Sequence, residues 1–590
     1  MLSDDVLQHL AGVFAEVDAP PTRRMGVRRD DFDVKTEVGI ALDMPPIGGR
    51  FKVIAPLGSG GMGSVYRARD LETGREVAVK VPHLLSEFVD KRFELEVDAI
   101  AAVVCPTTIG FVARGNADEP FVAMELVRGQ SLARRLSDQG AMPERTAVLV
   151  VRRLAAALAA VHLSGWIHRD VKPGNVVLTE EGTVRLVDFG LARSVDGPGA
   201  GTETGQLLGT IGYLAPEQFG SRRIVDPRTD VFALGCVLYE CLTGRSAWRR
   251  AISDVISGKW APDRHPRLDL GTVGVSPPVA AAVEHLAANH AAERAEDGLA
   301  ALETLIELDP DASAALAPAR GKRPVVREVM RAALRGPVAI TGAAGSGKSN
   351  VARAAALLLA EVLAPTATFV VRCNPRASRQ AGGHSLLLER ALRGAGFSSA
   401  ARVLAGQGMN VGSASDEPAL VLVMDDASFA DETSLRWARS LAAVGIARVI
   451  ATVRPGAEIP EGFQRIALDG DETTSIADLG ELPGAHRRAL RLFAVLGTSF
   501  DMQVAAQMAI DLGVSIAPDL LGDLVERGIL LKLGGTGYGF ARASHWEHLI
   551  RSMSADELRD ATRRLDDLEA AHGRLPLEVS LTGRSSATIG

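Results

Sequence analysis

The chain has 590 residues, enough at about 100 to 200 residues per domain for several separately cored domains, which excludes a single small module. Its 47% hydrophobic and 23% charged residues exclude a wholly disordered or fibrous chain, and a formal net charge of -7 argues against a generally basic binder of nucleic acid or anionic membrane. Cys105, Cys236, Cys241 and Cys373 lack metal-site spacing, no signal-like segment opens the chain, and no uninterrupted apolar stretch is long enough to span a bilayer. These features read as a soluble cytoplasmic protein with reduced thiols and no membrane contact.

In chain order, Val6, Leu10, Val13 and Val17 share one helical face before Pro20-Pro21, and residues 1–49 read as a leader. Short β-type runs with glycine turns follow from 50 to 127, then Ala/Leu-rich helices from 128 to 310. The prolines and basic residues of 311–324 read as a linker. Residues 325–475 alternate strands and helices, with strands expected at 338–340, 367–371 and 419–424, the pattern of a parallel α/β sheet. Residues 476–550 are mainly helical with a hairpin at 529–541, an order resembling a winged helix. The stretch 551–590 reads as a helix and tail, frayed from Thr582 to Gly590.

Two motif sets carry chemistry. In the first, Gly58, Gly60, Gly63 and Val65 form GxGxxGxV, and Val77-Ala78-Val79-Lys80 supplies a strand lysine. His168-Arg169-Asp170 with Lys172 and Asn175 follows, and then come Asp188-Phe189-Gly190 and Ala215-Pro216-Glu217. This ordered set resembles the protein kinase signature, and most closely that of bacterial eukaryotic-like (Hanks-type) Ser/Thr kinases. The resemblance implies a bilobal fold over about 50–310. Gly58, Ser59, Gly60, Gly61, Met62, Gly63, Ser64, Val65 and Ala78 would cover ATP, and Met124 would back the adenine pocket. Glu125 to Val127 would form the hinge whose backbone reads the purine. Lys80 would grip the α and β phosphates while paired to Glu96, with Glu94 the alternative. Asn175 and Asp188 would hold Mg²⁺, Asp170 would accept the substrate hydroxyl proton, and Lys172 would meet the γ-phosphate. Glu217–Arg294 matches a buried ion pair, Asp230 matches an acid bracing the catalytic loop, and Thr210 matches a substrate-site threonine. Thr202 and Thr204 are the candidate phosphorylation sites, facing Arg169. Two departures stand out: a short segment between Lys80 and Glu96, and Val104-Cys105-Pro106-Thr107-Thr108 in place of the usual His-Pro-Asn phrase.

In the second set, Gly342-Ala343-Ala344-Gly345-Ser346-Gly347-Lys348-Ser349 is GxxxxGKS between an apolar strand and a helical run. Backbone amides of such a loop form an anion nest at a helix N-terminus; Lys348 would reach the β and γ phosphates and Ser349 would ligate Mg²⁺. Asp425-Asp426 ends a later strand as a Walker B pair, Asp425 serving Mg²⁺ and Asp426 orienting water. Arg454 ends a further strand. The arrangement resembles the STAND class of AAA+-related P-loop ATPase switches, in which an arginine at this point senses the γ-phosphate. Arg542 stands where many relatives carry histidine, and the usual superhelical repeats are missing.

The sequence therefore predicts a multidomain α+β and α/β protein: a bilobal kinase, a P-loop NTPase sheet at 325–475, and a winged-helix-like domain at 476–550. Its expected function is ATP- and Mg²⁺-dependent phosphorylation of protein Ser/Thr, with slow ATPase activity and self-association or partner binding in a C-terminal switch. The alternatives are a STAND-type scaffold with the kinase as effector, or a DNA-binding regulator. The acidic expected recognition helix at 517–527, with Asp519, Asp523 and Glu526, disfavours nucleic acid, as does the ordinary reading of Arg487, Arg488 and Arg491 as a solvated face.

Overall fold

The computed structural model describes residues 45–60, 63–83, 87–103, 105–116, 119–189, 193–194, 211–218, 226–247, 270–271, 273–343, 346–363, 366–373, 419–454, 457–468, 482–496, 499–517, 519–527, 529–534, 537–540, 545, 548–550, 552–554, 557, 560–561, 563–564 and 579–584. The chain divides into two compact units: 1–315 with 361–365 and 586–590, and 316–360 with 366–585.

The first unit opens with strands β1 (Phe51–Gly60), β2 (Gly63–Asp70) and β3 (Glu76–Pro82), helix α1 (Glu87–Ala102), then β4 (Phe111–Arg114) and β5 (Val122–Glu125). The five strands form one antiparallel sheet in the order β1-β2-β3-β5-β4. Alternation puts Phe51, Val53, Ala68, Val77, Val79, Phe121 and Ala123 on its buried face. At its edge the buried Asp70 receives two bonds from Arg50, both 2.7 Å.

Next come β6 (Gly129–Ser131), α2 (Leu132–Gln139), α3 (Glu144–Leu163), β7 (Trp166–Ile167), β8 (Val176–Thr179), β9 (Val184–Leu186) and β10 (Arg193–Ser194). Helices α4 (Arg228–Thr243), α5 (Pro277–Leu286), α6 (Gly298–Ile306) and α7 (Pro310–Leu316) follow. By length and a mean hydropathy of 1.7, α3 has the composition of a membrane span, although Arg152 and Arg153 interrupt its apolar run, in line with the sequence expectation. Its apolar face is instead the core of this unit, with 78% of the stretch buried. α4 buries Val231, Phe232, Leu234, Cys236, Val237 and Leu238 completely. Each large apolar side chain removed from water in this way stabilises the unit by about 1.5–3 kcal/mol.

The expected linker at 311–324 is helical. α7 runs through Leu316, a 3-10 turn spans Ala317–Lys322, and α8 (Arg323–Ala333) begins at once. Its prolines did not break structure because Pro318 and Pro324 occupy the first turns of their helices, where the missing N–H has no intrahelical partner to lose.

The second unit continues with β11 (Val338–Gly342), α9 (Lys348–Val362), β12 (Thr366–Arg372), β13 (Ala419–Asp425), α10 (Glu432–Ala443), β14 (Ala447–Val453) and β15 (Gln464–Leu468). These strands are parallel in the order β15-β11-β14-β13-β12. One face packs Phe369, Val371, Leu420, Leu422, Val449 and Ala451 against Ala438 and Leu441 of α10. A separate core built on Leu490, Phe493, Phe500, Met508, Leu524 and Leu530 joins α11 (Gly484–Leu496), β16 (Ser499–Asp501), α12 (Met502–Asp511), α13 (Leu520–Glu526), β17 (Leu530–Gly534) and β18 (Gly537–Phe540). Here three strands in the order β16-β18-β17 accompany three helices.

Part of the tail expected to be frayed is also structured. β19 (Val579–Arg584) pairs antiparallel with β12, so the exposed edge of the parallel sheet gains a partner for its backbone groups. The leader at 1–44, Thr202, Thr204, Thr210 and Arg542 lie outside the described residues.

Gly298 supports a close helix approach. A Cβ there would lie 2.5 Å from both Ala159 N and Leu158 C, atoms of the α3 backbone that cannot swing aside. Gly298→Val is expected to destabilise the first unit by about 1–3 kcal/mol or more, measured by chemical denaturation of the full chain, whereas Gly274→Ala, where a Cβ meets open space, should not.

Candidate active site and a second polar cluster

Strand pairing assembles the upper half of the first site. Val65 on β2 faces Lys80 on β3, and Ala78 on β3 faces Met124 on β5. Gly58, Ser59 and Gly60 pair with Val65, Ser64 and Gly63 across the β1–β2 hairpin, while Gly61 and Met62 at its tip lie outside the described residues. Gly63 has a specific reason to be glycine: a Cβ would sit 2.4 Å from Val81 O.

Lys80 Nζ donates to both carboxylate oxygens of Glu96 at 2.6 and 2.8 Å and lies 3.8 Å from Asp188 Oδ1. Glu94, two residues away on α1, points elsewhere and receives Arg114 at 2.6 Å on the exposed side. The helical 100° step separates the two acids in this way. Burial works against the Lys80 ammonium, but the Asp188 and Glu96 carboxylates outweigh it and hold its pKa above the ordinary lysine value. The shortened segment before α1 therefore still lets the pair close.

The lower half is a loop of short-range contacts. Asp170 Oδ2 accepts from Lys172 Nζ and from Asn175 Nδ2, both at 2.9 Å, and Asn175 Nδ2 also reaches Asp170 O at 2.9 Å. With its nitrogen so engaged, Asn175 offers its amide oxygen as the remaining ligand atom. Asp188, at φ 67°, presents an exposed carboxylate near Lys80. A carboxylate and an amide oxygen are the hard donors that Mg²⁺ takes, so these residues fit the ion.

Asp230, in the first turn of α4 and wholly buried, fixes this loop from below. Its carboxylate accepts the backbone N–H groups of His168 at 2.8 Å and Arg169 at 2.7 Å, and His162 Nε2 at 2.9 Å. His162 Nδ1 accepts Gly298 N–H at 2.8 Å, which assigns the His162 proton to Nε2. Burial alone would raise the Asp230 pKa; the His162 hydrogen bond leads the interactions that bring it below the ordinary carboxylate value. Arg169 has φ 68°, a left-handed backbone that costs a non-glycine residue of order 1 kcal/mol and is held by the Asp230 bond. Sequence reasoning did not single out His162, whose only signal was a polar residue in an apolar helix.

His168 is buried with its ring 4.9 Å from that of Phe189, and burial pushes its pKa down. Glu217 receives Arg294 at 2.7 and 3.0 Å, and the Arg294 guanidinium lies 4.7 Å over the Phe232 ring. Met124, expected behind the adenine pocket, is buried, while Glu125 and Val127 of the expected hinge are half-buried.

In the second unit, Lys348 Nζ donates to Gly342 O and Ala343 O, both at 2.7 Å, and Gly347 turns the loop at φ 84°. Gly345 lies outside the described residues. Ser349 Oγ and Thr452 Oγ1 both donate to Asp425 Oδ1, at 2.7 and 2.9 Å, and Arg353 Nη2 reaches Asp425 Oδ2 at 3.1 Å. Asp426, at φ 60°, gives its N–H to Thr452 Oγ1 at 2.8 Å and takes two nitrogens of Arg454 at 2.8 to 3.0 Å. The parallel sheet brings these residues together because β11, β13 and β14 are neighbours whose C-terminal ends coincide. Sequence reasoning missed Thr452 and Arg353. A hydroxyl in the apolar run Val449–Val453 was the signal for Thr452.

Among known protein families, the one described as Protein kinase domain matches residues 51–265. The first unit carries a protein kinase domain. Among its relatives, "Serine/threonine-protein kinase PknL" of Mycobacterium tuberculosis is 36% identical over 255 residues, covering 42% of this chain and 63% of the relative. "Serine/threonine-protein kinase PknD" of Mycobacterium tuberculosis is 39% identical over 213 residues, covering 35% and 32%. "Serine/threonine-protein kinase pkn2" of Myxococcus xanthus is 40% identical over 215 residues, covering 35% and 26%. The chain thus spans less than two thirds of the length of these curated relatives, and the matches concern the kinase region.

Because Asp230 holds two consecutive amides, Asp230→Ala is expected to release Arg169 from its left-handed backbone and misplace Asp170. The measured outcome is a fall in the phosphotransfer rate of roughly tenfold or more with ATP affinity much less changed.

Proposed function

We propose that the chain is an ATP-dependent protein serine/threonine kinase whose second unit is a nucleotide-dependent switch. The observation that carries the first half is the closed Lys80–Glu96 pair beside Asp188, together with an Asp170 carboxylate held by Lys172 and Asn175. The named serine/threonine kinases that match the kinase region support it.

Phosphoryl transfer asks the protein for alignment and charge compensation more than for covalent chemistry. Lys80, held rigid by Glu96, would bind the α and β phosphates. Met124 and Ala78 would bound the purine, and the Glu125–Val127 backbone would read its edge. Asp170 would orient the attacking Ser or Thr hydroxyl and accept its proton, while Lys172, now 2.9 Å from that carboxylate, would compensate charge on the transferring group. Mg²⁺, held by Asn175 and Asp188, would supply neutralisation of the phosphates.

The second half rests on the parallel order of the sheet and the convergence of Lys348, Ser349, Asp425, Asp426 and Arg454. These features support a P-loop ATPase of the STAND/AAA+-like kind, followed by a winged-helix-like domain. Lys348 would bind phosphate, and Ser349 and Asp425 supply the oxygen ligands suited to Mg²⁺. Arg454 and Asp426 would report on the γ-phosphate. A state-dependent affinity ratio of a hundredfold would shift a balanced equilibrium almost completely, by about 2.7 kcal/mol. Self-association or partner binding is the proposed output.

Asp170→Asn is expected to lower Ser/Thr peptide phosphorylation by roughly a hundredfold or more, with ATP binding retained. Persistent activity in the pure variant would overturn the kinase reading. Lys348→Ala is expected to abolish nucleotide binding by the second unit and to remove any change of particle mass between ADP and a slowly hydrolysed ATP analogue. Calorimetric stoichiometry and light scattering check this, and unchanged stoichiometry would overturn the switch.

A further inference from the structure

The segment that departs from the kinase phrase, Cys105-Pro106-Thr107-Thr108, meets the hinge through a side chain that the catalytic scheme does not use. Arg185 lies on β9, three residues before Asp188. Its Nη1 donates to Thr108 O at 3.1 Å and its Nη2 to Glu125 Oε1 at 3.2 Å. Thr108 is completely buried, so its carbonyl depends on a protein donor; Glu125 is the first hinge residue.

The surrounding backbone locks the same three segments. Leu186 N–H donates to Thr107 O at 2.8 Å, Ile109 N–H to Leu186 O at 3.1 Å, and Glu125 N–H to Gly110 O at 2.8 Å. At Gly110 a Cβ would stand 3.1 Å from Glu125 Oε2 and 3.4 Å from its Cβ, so the loop after α1 lies directly against the hinge glutamate. One guanidinium therefore ties the strand leading to Asp188, the loop that ends α1, and the segment facing the purine. The planar fork of arginine can serve two acceptors in fixed directions, which a lysine ammonium on a flexible stem does less well.

We infer that Arg185 is a positioning residue for ATP: through Glu125 and Thr108 it sets the hinge against the lower strand that carries Asp188, and so governs nucleotide affinity. It touches no reacting atom. This rests on the reading of the first unit as an ATP-dependent kinase, and its test has a binding arm that needs no catalysis.

Fluorescent mant-ATP is titrated into the full chain, with Lys348→Ala present in every protein so that the second phosphate loop does not contribute. Arg185→Ala should weaken binding roughly fivefold or more, Arg185→Lys by less, and Glu125→Gln should add little once Arg185 is gone. In phosphotransfer assays the KM for ATP should rise in parallel, while kcat and the KM for peptide stay within about twofold. Thermal melts identify any variant that fails to fold, and the Arg185→Lys and Glu125→Gln arms then carry the test. A dissociation constant unchanged in folded Arg185→Ala, additive effects of Arg185 and Glu125, or equal losses in the peptide KM would overturn the inference. Absence of phosphotransfer with the binding shifts intact would overturn the kinase reading and leave the positioning role standing.

Discussion

One buried carboxylate organises the candidate active site of the first unit. Asp230 accepts three hydrogen bonds, two of them from consecutive backbone amides of the loop that ends in Asp170. Burying a carboxylate without partners would be prohibitive, so its ionised state and the loop conformation require each other. The first turn of a helix also favours negative charge there. Arg169 is held in a left-handed backbone, the adjoining Asp170 takes its direction from that turn, and His162 transmits the arrangement to the start of α6 through Gly298 N–H. The geometry of the site is thus fixed by the helical core beneath the loop and not by the loop's own backbone.

The two lysine-centred clusters meet one electrostatic problem, an ammonium held among fixed acceptors, with different architectures. In the first, a strand lysine is oriented by an acid on a separate helix, so its position depends on where α1 sits. In the second, the lysine opens the helix that follows the glycine loop, and its ammonium rests on that loop's own carbonyls. The first arrangement can be taken apart by moving a helix; the second is local and stays assembled as long as the loop does. The longer-range part of the second lies in its acids, where Thr452 joins Asp425 to Asp426 and Arg454 clamps the latter.

Much of this was legible in the residues because motif order encodes strand order. Lys80, Asp170, Asn175 and Asp188 announce themselves by spacing, and the three strands at 338–340, 367–371 and 419–424 lie within β11, β12 and β13. The choice of Glu96 over Glu94 needed the helix register, which the structure supplies through the Lys80 contact. Proline content misled at 311–324, since proline in a first turn is compatible with a helix. Polar residues that act at long range were the hardest to see. His162, Thr452 and Arg185 have no local motif, because their partners lie far along the chain.

The strand β19 has a consequence for how the second unit reaches its native state. Its partner β12 precedes it by more than two hundred residues, so this pairing closes a very long loop. Closure entropy grows only slowly with length, yet contacts this distant form late and slow the search for the native topology. During synthesis the β12 edge would emerge from the ribosome well before its complement. For that interval the parallel sheet carries an open rim of amides and carbonyls, the period in which pairing with another chain competes most strongly with folding.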